Sequence, residues 1–255
     1  MPRIIKTVGF FNHLPHISEG EADRHYLGAH VPFIAGMMHA TGIAHSYYTA
    51  KVVAQQDING TWLQRPDDWR SVAIRVVVPE DGGAMDERIR SAIEQDHRLF
   101  LCNLRNYVCA ERTIVDDLAG RPSTTKFLID IAAVPGQFSE ARTQADAFVD
   151  AVAAELDPGS GIALATANQV RRQEDAAAID LPGQGFTPGR FLDEPSSALV
   201  LELYFVTGRA GEQFIERLEP LLADVRHAPG VHRVRCLRLA EQCQIGTRPD
   251  VAPGP

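Results

Sequence analysis

No stretch of the chain approaches the ~20 consecutive apolar residues that a bilayer-spanning helix needs, so a helical membrane protein is excluded as the first expectation. Basic clusters are missing as well. The 25 Lys+Arg are scattered among 33 Asp+Glu, for a formal net charge of -8. A phosphate backbone would meet no basic face, so nucleic acid is not an expected partner. Cysteine is scarce: Cys102, Cys109, Cys236 and Cys243 form no CxxC, and the two pairs are each seven residues apart. Zinc sites show tighter ligand pairs, and buried or half-buried free thiols are expected instead. There is no HExxH, no GxGxxG and no P-loop, so neither a metal nor a nucleotide is expected. His25, His30 and His39 lie on or after one helix without a tight i, i+4 pair. The opening Met1-Pro2-Arg3-Ile4-Ile5-Lys6 enters a strand pattern at once and leaves no room for a signal peptide, which makes the cytoplasm the expected location.

What the sequence does hold is an ordinary globular composition, 45% hydrophobic and 23% charged over 255 residues, with the same order of elements twice. In the first half, strands are expected at residues 4–12, 43–53, 71–78 and 106–114, with helices from Ser18 to about Gly42 and at 85–101. Ser18 and Glu21 have the spacing of a capping box. In the second half, strands fall at 126–134, 162–170, 198–207 and 231–239, with helices at 139–156 and 211–227. Each half reads β-α-β-β-α-β, the ferredoxin-like motif. The expected class is α+β, with the two halves (1–118 and 124–245) packed sheet to sheet as an intramolecular α+β barrel. A Pro/Gly-rich tail at 246–255 is expected to be loose. Exposed helices and edges leave room for a homodimer.

Strand alternation sorts the faces. Val72, Ile74, Val76 and Val78 make a core face, which leaves Arg75 on the other. Asp130 lies opposite Phe127, Ile129 and Ile131; Glu202 and Tyr204 lie opposite Leu199, Leu201, Leu203 and Phe205. Arg75, Asp130 and Glu202 should therefore meet between the sheets, as an ion-pair network or as contacts to a ligand, because an unpaired buried charge is costly. In the second strand either side, His45/Tyr47/Thr49/Lys51 or Ala44/Ser46/Tyr48/Ala50, could face the cavity.

The most distinctive stretch runs from Ser18 to Pro32. Tyr26 stands four before His30, and Pro32 two after it. With the Phe10-Phe11 strand end and Gly42, this resembles the first-helix signature of the EthD-like families of the dimeric α+β barrel superfamily. Ala22 departs from it, where those families usually have phenylalanine. The second half lacks the histidine-proline signature, reading Ala147-Phe148-Val149-Asp150 there, so one active cavity is expected. The resemblance implies methylmuconolactone isomerases, aromatic polyketide cyclases, cofactor-free monooxygenases and proteins of ether breakdown as relatives. Tandem members of the wider superfamily include haem enzymes such as chlorite dismutases, for which His227 and His232 would be the axial candidates.

Histidine titrates near neutral pH and suits proton transfer. His30 and His45 are the expected proton-transfer groups, with Tyr47 a donor to developing negative charge and Asp130 and Glu202 further acid/base candidates. Arg75 would anchor a carboxylate or carbonyl, with Tyr26 and Tyr204 beside the substrate. A lone helix histidine can equally be a packed core residue, and a His/Tyr strand face a half-exposed edge. The leading expectation is a cofactor-independent lyase, isomerase or cyclase acting on a small oxygenated, partly apolar metabolite. The alternatives are a cofactor-free monooxygenase on an activated phenol and a non-catalytic ligand-binding module.

Overall fold

The computed structural model describes residues 3–41, 44–56, 61–64, 68–78, 87–117, 125–156, 159–174 and 196–246. The first half runs β1 (Arg3–His13), α1 (Glu19–His25), a π-helical turn (Tyr26–His30), α2 (Val31–Thr41), β2 (Ala44–Gln56), a two-residue β3 (Trp62–Leu63), β4 (Arg70–Val78), α3 (Glu87–His97) and β5 (Leu101–Asp116). The second runs β6 (Thr125–Ala133), α4 (Phe138–Glu155), β7 (Ile162–Glu174), β8 (Ser197–Phe205), α5 (Gly208–Arg226) and β9 (Val231–Gly246). Among these residues no helix is long and apolar enough to cross a membrane.

The two halves form one α+β barrel, as expected, and they also join edge to edge. The strand order is β3-β2-β4-β1-β5-β7-β8-β6-β9, and β2 also pairs with β9. The last strand of each half thus joins the second strand of the other, and eight antiparallel strands close into a barrel. Three strands run longer than the alternation suggests. β5 begins at Leu101 rather than 106, β7 reaches Glu174, and β9 continues past Leu239 to Gly246. The added residues of β7 and β9 pair with a strand of the other half, as in Ser46↔Gly246 and Asn106↔Glu174, while Leu101, Cys102 and Arg105 of β5 pair with β1 of their own half. Of the Pro/Gly-rich tail, residues 247–255 lie outside the described residues.

Helices cover the barrel on the outside. α4 and α5 bury Ala141, Ala145, Phe148, Phe214, Leu218 and Leu222 against Phe127, Ile129, Leu201 and Phe205. Contact is close enough that a Cβ on Gly211 would lie 2.3 Å from the Phe127 ring. Over the first half the helix layer is aromatic: Phe11, Tyr26, Trp69 and Phe100 pack with Ile34, Met38 and Val72.

Inside the barrel an apolar belt of Val8, Phe10, Ala73, Leu128, Val200 and Leu237 separates two buried ion clusters. In one, Arg235 donates through Nε and Nη2 to Asp130 Oδ2 at 2.9 and 2.6 Å and through Nη1 to Asp68, which also accepts from Arg105. Ser197 donates to the other oxygen of Asp130. In the other, Glu202 accepts from Lys6, Lys126, Thr166 and Asn168, while Glu111 accepts from Lys6 and Arg75. Lys6–Glu202 and Arg235–Asp68 each tie one half to the other.

Removing one member of a buried pair leaves a bare charge. Arg235→Met, which strands Asp68 and Asp130, is expected to cost about 3–5 kcal/mol. Urea titration should show a lower midpoint at unchanged slope; a midpoint equal to the parent's would mean that the cluster does not hold the barrel together.

Candidate functional site

The signature around His30 forms a site in the helix layer of the first half. α1 starts on a complete capping box: Glu21 N–H donates to Ser18 Oγ, and Ser18 N–H donates to Glu21 Oε2 at 2.8 Å. Pro32 then constrains the next turn. It has no N–H, and its ring would press on the carbonyl four residues back. The backbone answers with a π turn, in which Val31 N–H donates to Tyr26 O. Such turns are frequent at functional sites. Tyr26 and His30 both face inward, stacked at 5.1 Å, and His30 is only 3% exposed.

Three elements complete the site. From β2, Tyr47 shares a hydrogen bond with Tyr26, hydroxyl to hydroxyl, at 2.5 Å. From the last turn of α3, Asp96 bridges two imidazoles, with Oδ2 2.6 Å from His30 Nδ1 and Oδ1 2.9 Å from His25 Nε2. His97 follows, its ring 5.1 Å from that of His30. At the start of β4, the Arg70 guanidinium lies over Tyr26 at 4.6 Å and over Trp69 at 4.5 Å, paired with Asp23 of α1. Phe100 closes the floor against His25, Tyr26 and His30.

Burial lowers the pKa of His30, with the hydrogen bond and charge of Asp96 opposing and His25 adding to the fall. His97 is lowered further, to about 4, by burial and then by His30, against the pull of Asp96. A base lowered in this way is neutral at pH 7 and can take up a proton.

The sequence-derived candidates divide between the two faces of the sheet. Tyr26, His30 and Tyr47 meet in the helix layer. His45 lies on β2, and its side chain is outside the described residues. Arg75, Asp130, Glu202 and Tyr204 are all buried in the lumen. The expectation of one cavity holding all eight is therefore corrected: a helix side chain reaches only the sheet face that its helix covers, and Arg75 points to the other. Nor do the lumen residues form one group. Asp130 belongs to the Arg235 cluster and Glu202 to the Lys6 cluster, with Tyr204 donating to Glu202 Oε1 at 3.4 Å. His227 caps α5 and His232 lies on β9, both exposed. Cys102, Cys109 and Cys236 are buried and free, and burial pushes the first two thiols up to about 12; the side chain of Cys243 lies outside the described residues. Among the described residues, no group of three or more His, Cys, Asp or Glu is gathered to hold a metal.

Asp96, His97, Arg70 and Trp69 are members that sequence reasoning missed. The one signal was the Asp96-His97 pair at a helix end, and no spacing rule connects it to residue 30.

No family profile and no curated protein matches the chain. Solved structures do resemble it. A Fusobacterium nucleatum structure named "Putative monooxygenase" is 8% identical and aligns over 95% of this chain and 94% of its own, with a TM-score of 0.55. A Lactobacillus acidophilus structure of the same name is 9% identical, over 95% and 96%, at 0.46. One named "Putative Chlorite dismutase" is 11% identical, over 94% and 96%, at 0.46. At such identities the likeness reaches the fold alone. With the closed strand order it defines the class of fold: the chain is a closed, eight-stranded antiparallel α+β barrel built from two fused halves.

The lowered pKa of His97 gives a test by linkage. Between its ordinary value of 6.5 and about 4, the unfolded chain binds a proton that the folded one refuses. Stability must therefore fall as pH drops through this window. We expect His97→Gln to remove on the order of 1–2 kcal/mol of the loss between pH 7 and pH 5, read from urea midpoints at the two pH values. An unchanged pH dependence would contradict the buried placement of this imidazole.

Proposed function

We propose that this chain is an enzyme that moves a proton on a small oxygenated, partly apolar metabolite without a cofactor, as a lyase, isomerase or cyclase. The observation that carries this reading is the His30–Asp96 pair, a buried imidazole whose Nδ1 is held 2.6 Å from a carboxylate. Nδ1–H donates to Asp96, so Nε2 is the atom that takes the substrate proton. Burial keeps the ring neutral beforehand, and the carboxylate stabilises the imidazolium once formed. Asp96 also accepts from His25, whose side chain is 27% exposed. The carboxylate thus links a buried base to a half-exposed one and gives the proton a route toward solvent. The Tyr26–Tyr47 hydroxyl pair supplies an O–H donor for the oxygen of a developing enolate. Arg70 adds a fixed positive charge behind Tyr26. His45 stays in the proposal by its position two residues before Tyr47. The resemblance of the Tyr26–His30–Pro32 pattern to EthD-like families supports the same class of chemistry.

Deuterium uptake tests the reading without a known substrate. In D2O the protein should speed exchange next to the carbonyl of some member of a panel of 1,3-diketones, enol lactones and β-keto acids, followed by mass spectrometry. His30→Ala should slow that exchange at least about tenfold, with circular dichroism unchanged. Equal rates would remove His30 from the mechanism. Oxygen uptake with a phenol, in place of exchange, would turn the reading to a cofactor-free monooxygenase, and binding without either reaction to a ligand-binding module.

A further inference from the structure

On the outside of the barrel α4 and α5 leave a groove between them. Its cavity of about 190 Å³ is lined by Ala147, Phe148 and Ala151 of α4 and by Leu221, Asp224 and Val225 of α5, among others. The gap exists because alanine stands at both 147 and 151, so α4 offers only methyl groups toward Leu221 and Val225. Phe148 and Val225 are buried, whereas Ala147 and Asp224 are exposed at the rim. A space of roughly 150 Å³ holds a benzene ring, so a branched aliphatic side chain fits here. The two helices carry eight carboxylates, four each, against one arginine in α4 and three in α5. The layer around the groove is therefore acidic, and Arg226, close to Asp224 in sequence, is already paired with Glu219. Residues 175–195, outside the described residues, hold four acids and one arginine, a charge of the same sign.

A complementary feature stands on the other side of the barrel. The four long strands of each half are contiguous in the wall, so the two helix layers face away from each other. In the turn from α3 to β5, Leu99 is 61% exposed, more than any other large hydrophobic residue among those described. Arg98, just before it, is exposed as well. A single exposed leucine is ordinary, but this one is held in place. The N–H groups of Arg98, Leu99 and Phe100 donate to the carbonyls of Glu94, Asp96 and His97, and Phe100 is fully buried. The turn thus presents a fixed aliphatic side chain beside a cation. These are the two groups that an apolar groove with a carboxylate at its rim would take.

We propose that the chain associates head to tail with a second copy of itself. The Arg98-Leu99 turn of one copy seats in the α4–α5 groove of the next, Leu99 in the apolar space and Arg98 against Asp224. Because the two layers face opposite ways, no copy fills its own groove, and each contact leaves one turn and one groove free. Such a heterologous contact grows with concentration or closes into a ring. The turn is ordered beforehand, which lowers the entropy cost of docking. The contact is independent of the proton-transfer reading.

Sedimentation velocity of the full chain over a concentration series tests it. The parent should move from monomer to larger species as concentration rises. Leu99→Glu, which removes the apolar side chain, and Ala151→Trp, which fills the groove, should each weaken association at least about tenfold. An equal mixture of these two variants should form a dimer that neither forms alone, since one retains the groove and the other the turn. Arg98→Glu should weaken association, and adding Asp224→Arg to it should restore it; this exchange decides if Ala151→Trp fails to fold. A parent that stays monomeric throughout, or a Leu99→Glu variant that associates like the parent, would overturn the proposal. So would a mixture that stays monomeric with both variants folded, or a charge exchange that restores nothing.

Discussion

A sheet closed on itself leaves each strand side chain two destinations, the lumen or the helix layer. Closure here depends on two seams, β5 on β7 and β9 on β2. Without them each half would present two open strand edges, which proteins avoid. With them, the uncovered face of each four-stranded unit becomes the wall of a shared interior. That interior excludes water from whatever the strands point inward, so its charges must find partners there. Lys6, Glu202, Asp68 and Arg235 do so across the boundary between halves. The ion clusters are thus a consequence of closure and also help fix its register, since a strand slipped by one residue would turn them outward.

The order of elements could be read from the sequence because it rests on local signals: alternation in the strands, the capping box at Ser18, turns at Pro135-Gly136 and Gly159-Ser160-Gly161. The inward direction of Arg75, Asp130 and Glu202 was readable for the same reason. The seams were not. The outer stretches of β7 and β9 owe their strand form to partners in the other half, and that information is not local. The second strand carries tyrosines at both 47 and 48, so alternation could not orient it. Tertiary contacts do: Tyr47 meets Tyr26, and Tyr48 faces Arg75 at 5.8 Å.

Joining His30 to Arg75 and Glu202 in one site was a failure of a different kind. Alternation alone already implied their separation, because a helix covers one face of a sheet and Arg75 lies on the other. What the sequence could not supply was Asp96. It comes from the end of α3, and its two short contacts to His25 and His30 depend on how α3 docks against α1 and the π turn. The π turn itself can be traced to a single residue, Pro32, whose missing N–H leaves the preceding turn to find another bonding pattern.

The second half shows what the same architecture looks like without these demands. Among the described residues its helix layer, Phe127, Phe148, Phe205 and Phe214 with alanine and leucine between them, buries no histidine or carboxylate. Packing of that kind stabilises a domain with no polar group to satisfy. The first half places in the equivalent layer two tyrosine hydroxyls, a guanidinium, a buried imidazole and the carboxylate beside it, each of which costs free energy to bury and must be compensated by a specific partner. Folding does not require this, since the apolar layer next to it supports the same strand order. Departures from the apolar solution are expected where a site is needed. The asymmetry between the two helix layers is the physical ground for the site proposed in the first half, where, among the described residues, the structure accepts a burden its fold could do without.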